Sequence, residues 1–425
     1  MLIKNGRIID PANNIDTVMD VFIEDEKIIK VDKNLEVEKN SVSHEVIDAK
    51  GCWVIPGAID LHVHLREPGF EYKETMHTGS LSAAKGGVTT VCAMPNTKPV
   101  IDNKAMVDFV YAKAKKEAIV NVLQIGAITQ GQQGDVLADI KEMHEAGICG
   151  ISEDGRSVMN SKLLKEAMII AKELGIPIMS HCEDEALAGG AMNAGEQADK
   201  LGLIGIPNEA EDIITARDIQ LAQAVQARLH LCHVSTKNSV ELIRMAKEKG
   251  TDLSAEVCPH HFTLTDQAVD GIDTYTKMNP PLRSQEDVDA IKQALKEDII
   301  CVIATDHAPH HIEEKNQAYA QAPNGIIGLE TMIPLSITEL VKKGWLTPTQ
   351  FVKKITYNPA KILGIDKGTL SPGSIADVTI IDPDAEYVFK EEDIASKSKN
   401  TPFIGKTVNG RIKYTIVNGK IVYRD

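Results

Sequence analysis

The sequence predicts an α/β fold: a TIM (β/α)8 barrel carrying a small β-sandwich-like domain built from both chain termini. Three observations lead there. The middle of the 425-residue chain alternates strand-like and helix-like segments with short connections, the pattern of a parallel sheet. Eight such units in about 310 residues match the length of one closed barrel. Both ends instead read as short strands joined by Asn-Gly turns, at Asn5-Gly6 and Asn418-Gly419, so they pair as one domain into which the middle is inserted. A doubly wound open sheet is the structural rival, and no GxGxxG turn follows the first barrel strand to support it.

Taken in order, Leu2 to Ile9 and Val21 to Ile23 open the terminal domain within residues 1–55. Val378 to Ile381 and Tyr414 to Val422 complete it within residues 367–425. The barrel, residues 56–366, takes its strands from Gly57 to His62, Val88 to Ala93, Val120 to Ala127, Ile148 to Ser152, Ile176 to Ser180, Arg228 to His233, Leu253 to Val257 and Ile299 to Thr305. Between them lie amphipathic segments such as Asp135 to Ala146, Ser161 to Leu174, Asn238 to Lys249 and Glu286 to Lys296, several ending at Gly, the usual helix stop. From His307 to Gly328 the chain is polar and shows no periodicity. A loop of that length inside a compact domain is usually functional or disordered.

Composition narrows the partners. Asp and Glu number 61 against 46 Lys and Arg, a formal net charge of −15, which argues against a nucleic-acid backbone or an anionic membrane as the main partner. Met1 to Gly6 reaches a charge and a turn pair too soon for a signal peptide, and no apolar run approaches the roughly 18 residues that span a bilayer. Seven cysteines, scattered singly with no CxxC spacing, fit reduced core thiols in a cytoplasmic chain.

In such a barrel the active site forms where strands end at their carboxyl side. Strand one ends Asp60-Leu61-His62-Val63-His64, strand two runs into Pro95-Asn96-Thr97, and strand four into Glu153-Asp154-Gly155. Strand five ends at His181, six at His233, seven runs into His260-His261, and eight ends Thr305-Asp306-His307; only strand three, ending near Thr129, is quiet. Singly, these residues are ordinary: His-x-His is often incidental, a lone histidine near a strand end is usually a satisfied core residue, and Asp154 can cap a helix. Together, four histidines and two aspartates on one rim exceed the three protein ligands of a single catalytic zinc. They suit two ions about 3.5 to 4 Å apart sharing a bridging hydroxide. A divalent ion lowers the pKa of bound water from about 15.7 toward 7, so the expected chemistry is hydrolysis of an unactivated bond.

The wording of the motifs carries a resemblance. Asp60-Leu61-His62-Val63-His64-Leu65-Arg66-Glu67-Pro68-Gly69, Met94-Pro95-Asn96-Thr97, His181-Cys182-Glu183, Cys232-His233-Val234-Ser235, Lys277-Met278-Asn279-Pro280-Pro281-Leu282-Arg283 and Ala304-Thr305-Asp306-His307-Ala308-Pro309-His310 together resemble dihydroorotases of the amidohydrolase superfamily, the class I bacterial type in particular. The resemblance runs essentially from end to end. It implies a zinc-dependent, reversible cyclisation of N-carbamoyl-L-aspartate to (S)-dihydroorotate in pyrimidine biosynthesis, with two Zn2+ per chain. It implies that His62, His64 and Asp306 bind one ion, His181 and His233 the second, and that Asp154 bridges them. Glu153 is a rival for the bridge, because the chain reads Ser-Glu-Asp-Gly where the family usually has two aspartates; Asp154 is favoured for lying next to the Gly. It further implies that His64, Arg66, Asn96, Asn279, His310 and the backbone of Asn324 and Gly325 hold the substrate. The family usually carries Phe-Gly in place of Asn324-Gly325. A small-molecule substrate, a homodimer and association with aspartate transcarbamoylase complete what the resemblance implies.

The chemistry of the residues agrees with these roles. Arg66 offers a planar fork suited to a carboxylate. Asp306 can take a proton as the ring carbonyl is attacked and return it to the leaving nitrogen. The loop from His307 to Gly328 then reads as a lid bearing His310. His260 and His261 receive no ligand role and read as structural, and His77 and His144 as surface or packing residues. Two rival readings are weighed. A dihydropyrimidinase, hydantoinase or allantoinase usually presents a bridging lysine after strand four, and Ile151-Ser152-Glu153-Asp154 holds none. A non-catalytic, dihydroorotase-like partner of aspartate transcarbamoylase lacks metal ligands, whereas the set here is complete.

Overall fold

The computed structural model describes residues 1–36 and 45–425; the stretch 37–44 of the expected terminal domain lies outside them. The chain opens with β1 (Leu2–Asp10), β2 (Ile15–Glu24), β3 (Lys27–Asp32), β4 (Val46–Asp48) and β5 (Trp53–Pro56). The barrel strands follow: β6 (Ala58–Val63), β7 (Val88–Ala93), β8 (Asn121–Ala127), β9 (Gly150–Ser152), β10 (Ile178–Ser180), β11 (Leu229–Leu231), β12 (Leu253–Val257) and β13 (Val302–Ile303). The chain closes with β14 (Val378–Val388), β15 (Thr407–Val417) and β16 (Lys420–Arg424).

β6 to β13 lie side by side in sequence order and pair in parallel wherever register is defined. Such strands are covered on both faces, which is why they read as nearly unbroken Val, Ile and Ala runs. The two ends of the barrel meet at the rim, where Val63 pairs with His307 and the His64 N–H donates to the His307 carbonyl at 2.9 Å. Each expected strand is present. Ile299 to Thr305 shrinks to Val302–Ile303 because the Thr305 N–H is taken by the Asp60 carboxylate rather than by a neighbouring strand.

The helices follow their caps. Ser161–Leu174 begins where Asn160 accepts from the Lys162 and Leu163 N–H groups and stops at Gly175, whose φ of 70° closes the last turn. The helix expected from Asp135 to Ala146 is only Ile140–Glu145. Asp139 caps it by accepting from the Glu142 N–H, and the residues before it are drawn into backbone bonds with the end of β8, as in Ala138 N–H to Ile128 O at 3.0 Å.

Both chain ends enter one connected sheet, ordered β16-β15-β14-β5-β1-β2-β3 with β4 beside β1. It encloses its own apolar cluster, including Ile3, Ile8, Val21, Val54, Val378 and Ile416. Asn418-Gly419 turns a hairpin, with Val417 opposite Lys420. Asn5-Gly6 does not: β1 runs straight through it, with a register shift against β2 between Ile3 and Gly6. Asn5 sits at φ 62°, its N–H bonded to Asp20 Oδ1, and a Cβ on Gly6 would lie 2.4 Å from Val54 Cγ2. The dipeptide is a bulge that lets β5 approach, not a turn.

Between β14 and β15 the chain leaves the sheet and packs over the barrel mouth. There the Ala395 and Ser396 N–H groups donate to Glu330 Oε1, and Asn400 is bonded to the loop that follows β13. All seven cysteines are free, four of them buried. No described helix is long and apolar enough to cross a membrane.

Candidate active site

Asp60 sets the geometry of the rim. Its buried carboxylate accepts from the backbone N–H groups of His62 and Thr305 and from Thr305 Oγ1, fixing the ends of β6 and β13 to each other. That contact brings His62 and Asp306, 244 positions apart by number, to 3.6 Å between Nε2 and Oδ1. His64 Nε2 lies 3.0 Å from the same oxygen and 3.4 Å from Asp154 Oδ2. From the next strands, His181 Nδ1 faces His233 Nε2 at 2.9 Å, and both lie 3.7 Å from Asp154 Oδ1. The six expected ligands thus converge. His62, Asp154 and His233, and again His62, His64 and Asp306, present donor atoms mutually close enough to hold an ion.

The bonds behind the imidazoles fix which nitrogen looks inward. His62 Nδ1 is 2.8 Å from Glu256 Oε1, and a carboxylate oxygen can only accept, so Nδ1 carries a proton and Nε2 is the nitrogen that faces the site. His64 Nδ1 likewise meets Asn96 Oδ1 at 2.8 Å, and His181 Nε2 meets Glu183 Oε2 at 3.3 Å. Carboxylate or amide support behind a ligating histidine is the usual second layer of a metal site. Glu256 also accepts from His230 Nε2 at 3.0 Å, a buried His62-Glu256-His230 chain in the barrel.

The cluster is built for a cation. His62 Nε2 and Asp154 Oδ1 are buried 3.2 Å apart, yet neither makes a hydrogen bond. Burial alone would push the Asp154 and Asp306 carboxyls up, but the surrounding imidazoles hold both below the usual carboxylate range. Burial pulls the His62 imidazole down, and the two carboxylates outweigh it and raise it well above its ordinary value. Imidazole nitrogens and carboxylates converging on one another, in a field that favours positive charge, fit divalent ions.

Glu153 is directed elsewhere. Its carboxylate accepts from the Ile128 and Thr129 N–H groups and from Thr129 Oγ1 at the end of β8, so Asp154, not Glu153, faces the histidines.

Above the cluster opens a cavity of about 250 Å³ lined by His64, Arg66, Asn96, Asp154, Gly155, His181, His233, Asn279, Asp306, Ala308, His310, Asn324 and Gly325. Every residue expected at the substrate is among them. Arg66 is held by Nε to the Pro309 carbonyl at 3.1 Å and lies 3.4 Å from His310 Nε2. Burial and the neighbouring Arg66 and Lys73 cations hold His310 far below its ordinary value, so it is a neutral imidazole. Asn279 Nδ2 donates to Glu183 Oε2 at 3.1 Å. Three site residues, Arg66 (φ 61°), His233 (φ 34°) and Asp306 (φ 48°), occupy the left-handed region that disfavours side chains. Such strain is typically retained where function fixes the backbone.

Sequence reasoning missed Glu183, Glu256 and His230, for no spacing marks a carboxylate or histidine that acts through a ligand. His261 is buried and donates Nε2–H to the Pro280 carbonyl at 2.9 Å, supporting the segment that carries Asn279. His260 is buried beside it. His77 is exposed on a helix, its Nδ1 bonded to the Glu117 carbonyl, and His144 is half-buried on the helix Ile140–Glu145.

Comparison with known proteins agrees. Residues 51–239 match a family described as Dihydro-orotase-like. The chain is 51% identical to the dihydroorotase of Geobacter metallireducens over 425 residues, covering 100% of this chain and 99% of that one. It is 49% identical to the dihydroorotase of Acetivibrio thermocellus over 426 residues, with the same coverage. Among solved structures, the L-hydantoinase (dihydropyrimidinase) of Arthrobacter aurescens superposes with a TM-score of 0.89 at 28% identity, covering 100% of this chain and 96% of that one. The dihydropyrimidinase of Brevibacillus agri gives 0.86 at 27% identity, with 100% and 95% covered.

Proposed function

The chain belongs to the dihydroorotase family of amidohydrolase enzymes, and we propose that it is a zinc-dependent dihydroorotase that interconverts N-carbamoyl-L-aspartate and (S)-dihydroorotate in pyrimidine biosynthesis. The observation that carries the reading is the juxtaposition of six ligand-type side chains with a pocket offering one half-buried arginine, three asparagines and a neutral histidine. In this reading His62, His64 and Asp306 would hold one zinc and His181 and His233 a second, with Asp154 as a ligand available to both. Bound there, the ions would supply an acidified water and polarise the carbonyl under attack.

The chain's own groups do the rest. Arg66, half-buried and already oriented by the Pro309 carbonyl, grips the substrate carboxylate, and Asn96, His310, Asn279 and the backbone of Asn324 and Gly325 fix the ring. Asp306 lines the pocket as a carboxylate, accepts the proton released on attack and gives it to the ring nitrogen as the C–N bond opens. The same transfers in reverse close the ring. Residues 56–366 form the catalytic barrel and residues 1–55 with 367–425 the terminal domain. A cytoplasmic homodimer, able to associate with aspartate transcarbamoylase, completes the proposal.

The test is turnover by the purified, metal-loaded protein offered dihydroorotate, N-carbamoyl-L-aspartate and hydantoin separately. Interconversion of the first two is expected, with close to two divalent ions per chain by elemental analysis. Turnover of hydantoin with none of dihydroorotate would refute the reading.

A further inference from the structure

Lys315 is a charged residue that the mechanism leaves without a task, and it is only 1% exposed. Its three ammonium hydrogens go to backbone carbonyls: Pro323 at 2.9 Å, Gly325 at 3.1 Å and Lys277 at 3.2 Å. It is ion-paired to no carboxylate among the described residues. Burial, with repulsion from the Lys277 cation, pulls its pKa down to about 7. A methionine of similar length would fill the same space without the desolvation cost of a buried ammonium.

The three carbonyls belong to two walls of the pocket. Lys277 stands two residues before Asn279, which lines the cavity, while Pro323 precedes Asn324 and Gly325, which line it as well. The walls touch directly where the Gly325 N–H donates to the Lys277 carbonyl at 3.0 Å. Gly325 has little freedom: its φ is 143°, and a Cβ there would lie 2.8 Å from both the Ala308 carbonyl oxygen and His310 Cδ2. From a third side Asn400 donates to the Ala308 and Gly325 carbonyls, each at 3.0 Å, and accepts from the His310 N–H at 3.1 Å. The Gly325 carbonyl is therefore held by two buried donors on different chain segments. Backbone that must meet a ligand gains affinity when it is ordered beforehand.

We propose that Lys315 is a positioning residue for substrate binding: its ammonium locks the Asn324-Gly325 backbone against the Asn279 segment, so that this part of the pocket is formed before substrate arrives. The proposal rests on the reading of the pocket as the dihydroorotate site. It assigns the segment after His310 a fixed wall, where the sequence alone suggested a moving lid.

The test compares Lys315→Met with the wild-type protein, both metal-loaded, in steady-state turnover of dihydroorotate. The expected result is a KM rise of tenfold or more that exceeds any fall in kcat; a smaller rise, or a fall in kcat that exceeds it, overturns the proposal. Should Lys315→Met fail to fold, Lys315→Gln, which keeps a donor and most of the length, is expected to raise KM at least threefold, and a smaller rise overturns it. Hydrogen exchange of the Gly325 amide in the wild-type protein needs no variant: protection comparable to the barrel strands is expected, and exchange at the rate of an exposed loop overturns the proposal. A wild-type protein without dihydroorotate turnover would refute the functional reading instead, and the exchange measurement would still judge the fixed wall.

Discussion

Replacing Asp306 by asparagine tests the proton transfer with little other disturbance. The residue sits at φ 48°, a conformation that asparagine tolerates better than other side chains, and the two side chains are nearly isosteric, so the rim should keep its shape. What changes is chemical. The carboxylate oxygen 3.0 Å from His64 Nε2 and 3.6 Å from His62 Nε2 becomes part of an amide that cannot accept and return a proton. A positioned general base is typically worth about 10²–10⁴ in rate, or roughly 2.7–5.4 kcal/mol at 1.36 kcal/mol per decade. A kcat loss of that size is expected, with a cooperative melt close to that of the wild type. The assay is steady-state ring opening, with elemental analysis of the same preparation, because Asp306 is also a proposed ligand. A kcat within tenfold of wild type in a variant carrying its full complement of metal would show that the proton travels elsewhere.

Arg66→Ala removes charge-assisted bonds worth about 1.5–3 kcal/mol, so KM for dihydroorotate should rise roughly 10- to 150-fold; an unchanged KM would refute the carboxylate-binding role. Exhaustive chelation should abolish turnover and lower the melting temperature, with both restored by zinc, since ions that bind only the folded rim stabilise it. Turnover that persists after elemental analysis shows no metal would contradict the ligand assignment. His261 gives a pH dependence. Burial pulls its pKa from the ordinary 6.5 to about 3, so between these values the unfolded chain binds a proton that the folded chain does not. Its contribution to stability is complete above about pH 6.5 and is lost as pH falls toward 3. Chemical denaturation from pH 7 to pH 4.5 should therefore show a shallower loss of stability in His261→Gln than in the wild type; parallel slopes would refute that assignment.

The barrel was legible because buried parallel strands leave unbroken apolar runs, and the candidate ligands because each stands at the end of one. What the sequence could not show depends on where hydrogen bonds go in three dimensions. Asn5-Gly6 has the composition of a hairpin turn, and only the approach of Val54 on β5 makes it a bulge. Residues 135–138 have helical character, yet their backbone is drawn to the end of β8, and the helix waits for the Asp139 cap. Glu256 sits in an apolar strand with no neighbour in sequence to betray that it orients His62. Lys315 reads as one charge in a polar loop, and its burial under three carbonyls is invisible until the loop closes.

The choice between Glu153 and Asp154 shows the same rule deciding chemistry. Both are acidic, adjacent and at the end of the same strand, so residue type cannot separate them. Three donors saturate Glu153, which leaves it no reason to seek a cation, whereas Asp154 Oδ1 is buried without a hydrogen bond beside four imidazoles. A buried carboxylate with unmet demand is costly unless a positive charge meets it. The same demand links the metal to the substrate. Asp154 and Asp306 place two carboxylates in the pocket beside Arg66, and their charge works against an anionic ligand. The two divalent ions of the proposed function would offset that repulsion, so the acidic surplus of the chain and the proposed affinity for an anion would be reconciled at the rim histidines and the carboxylates they surround.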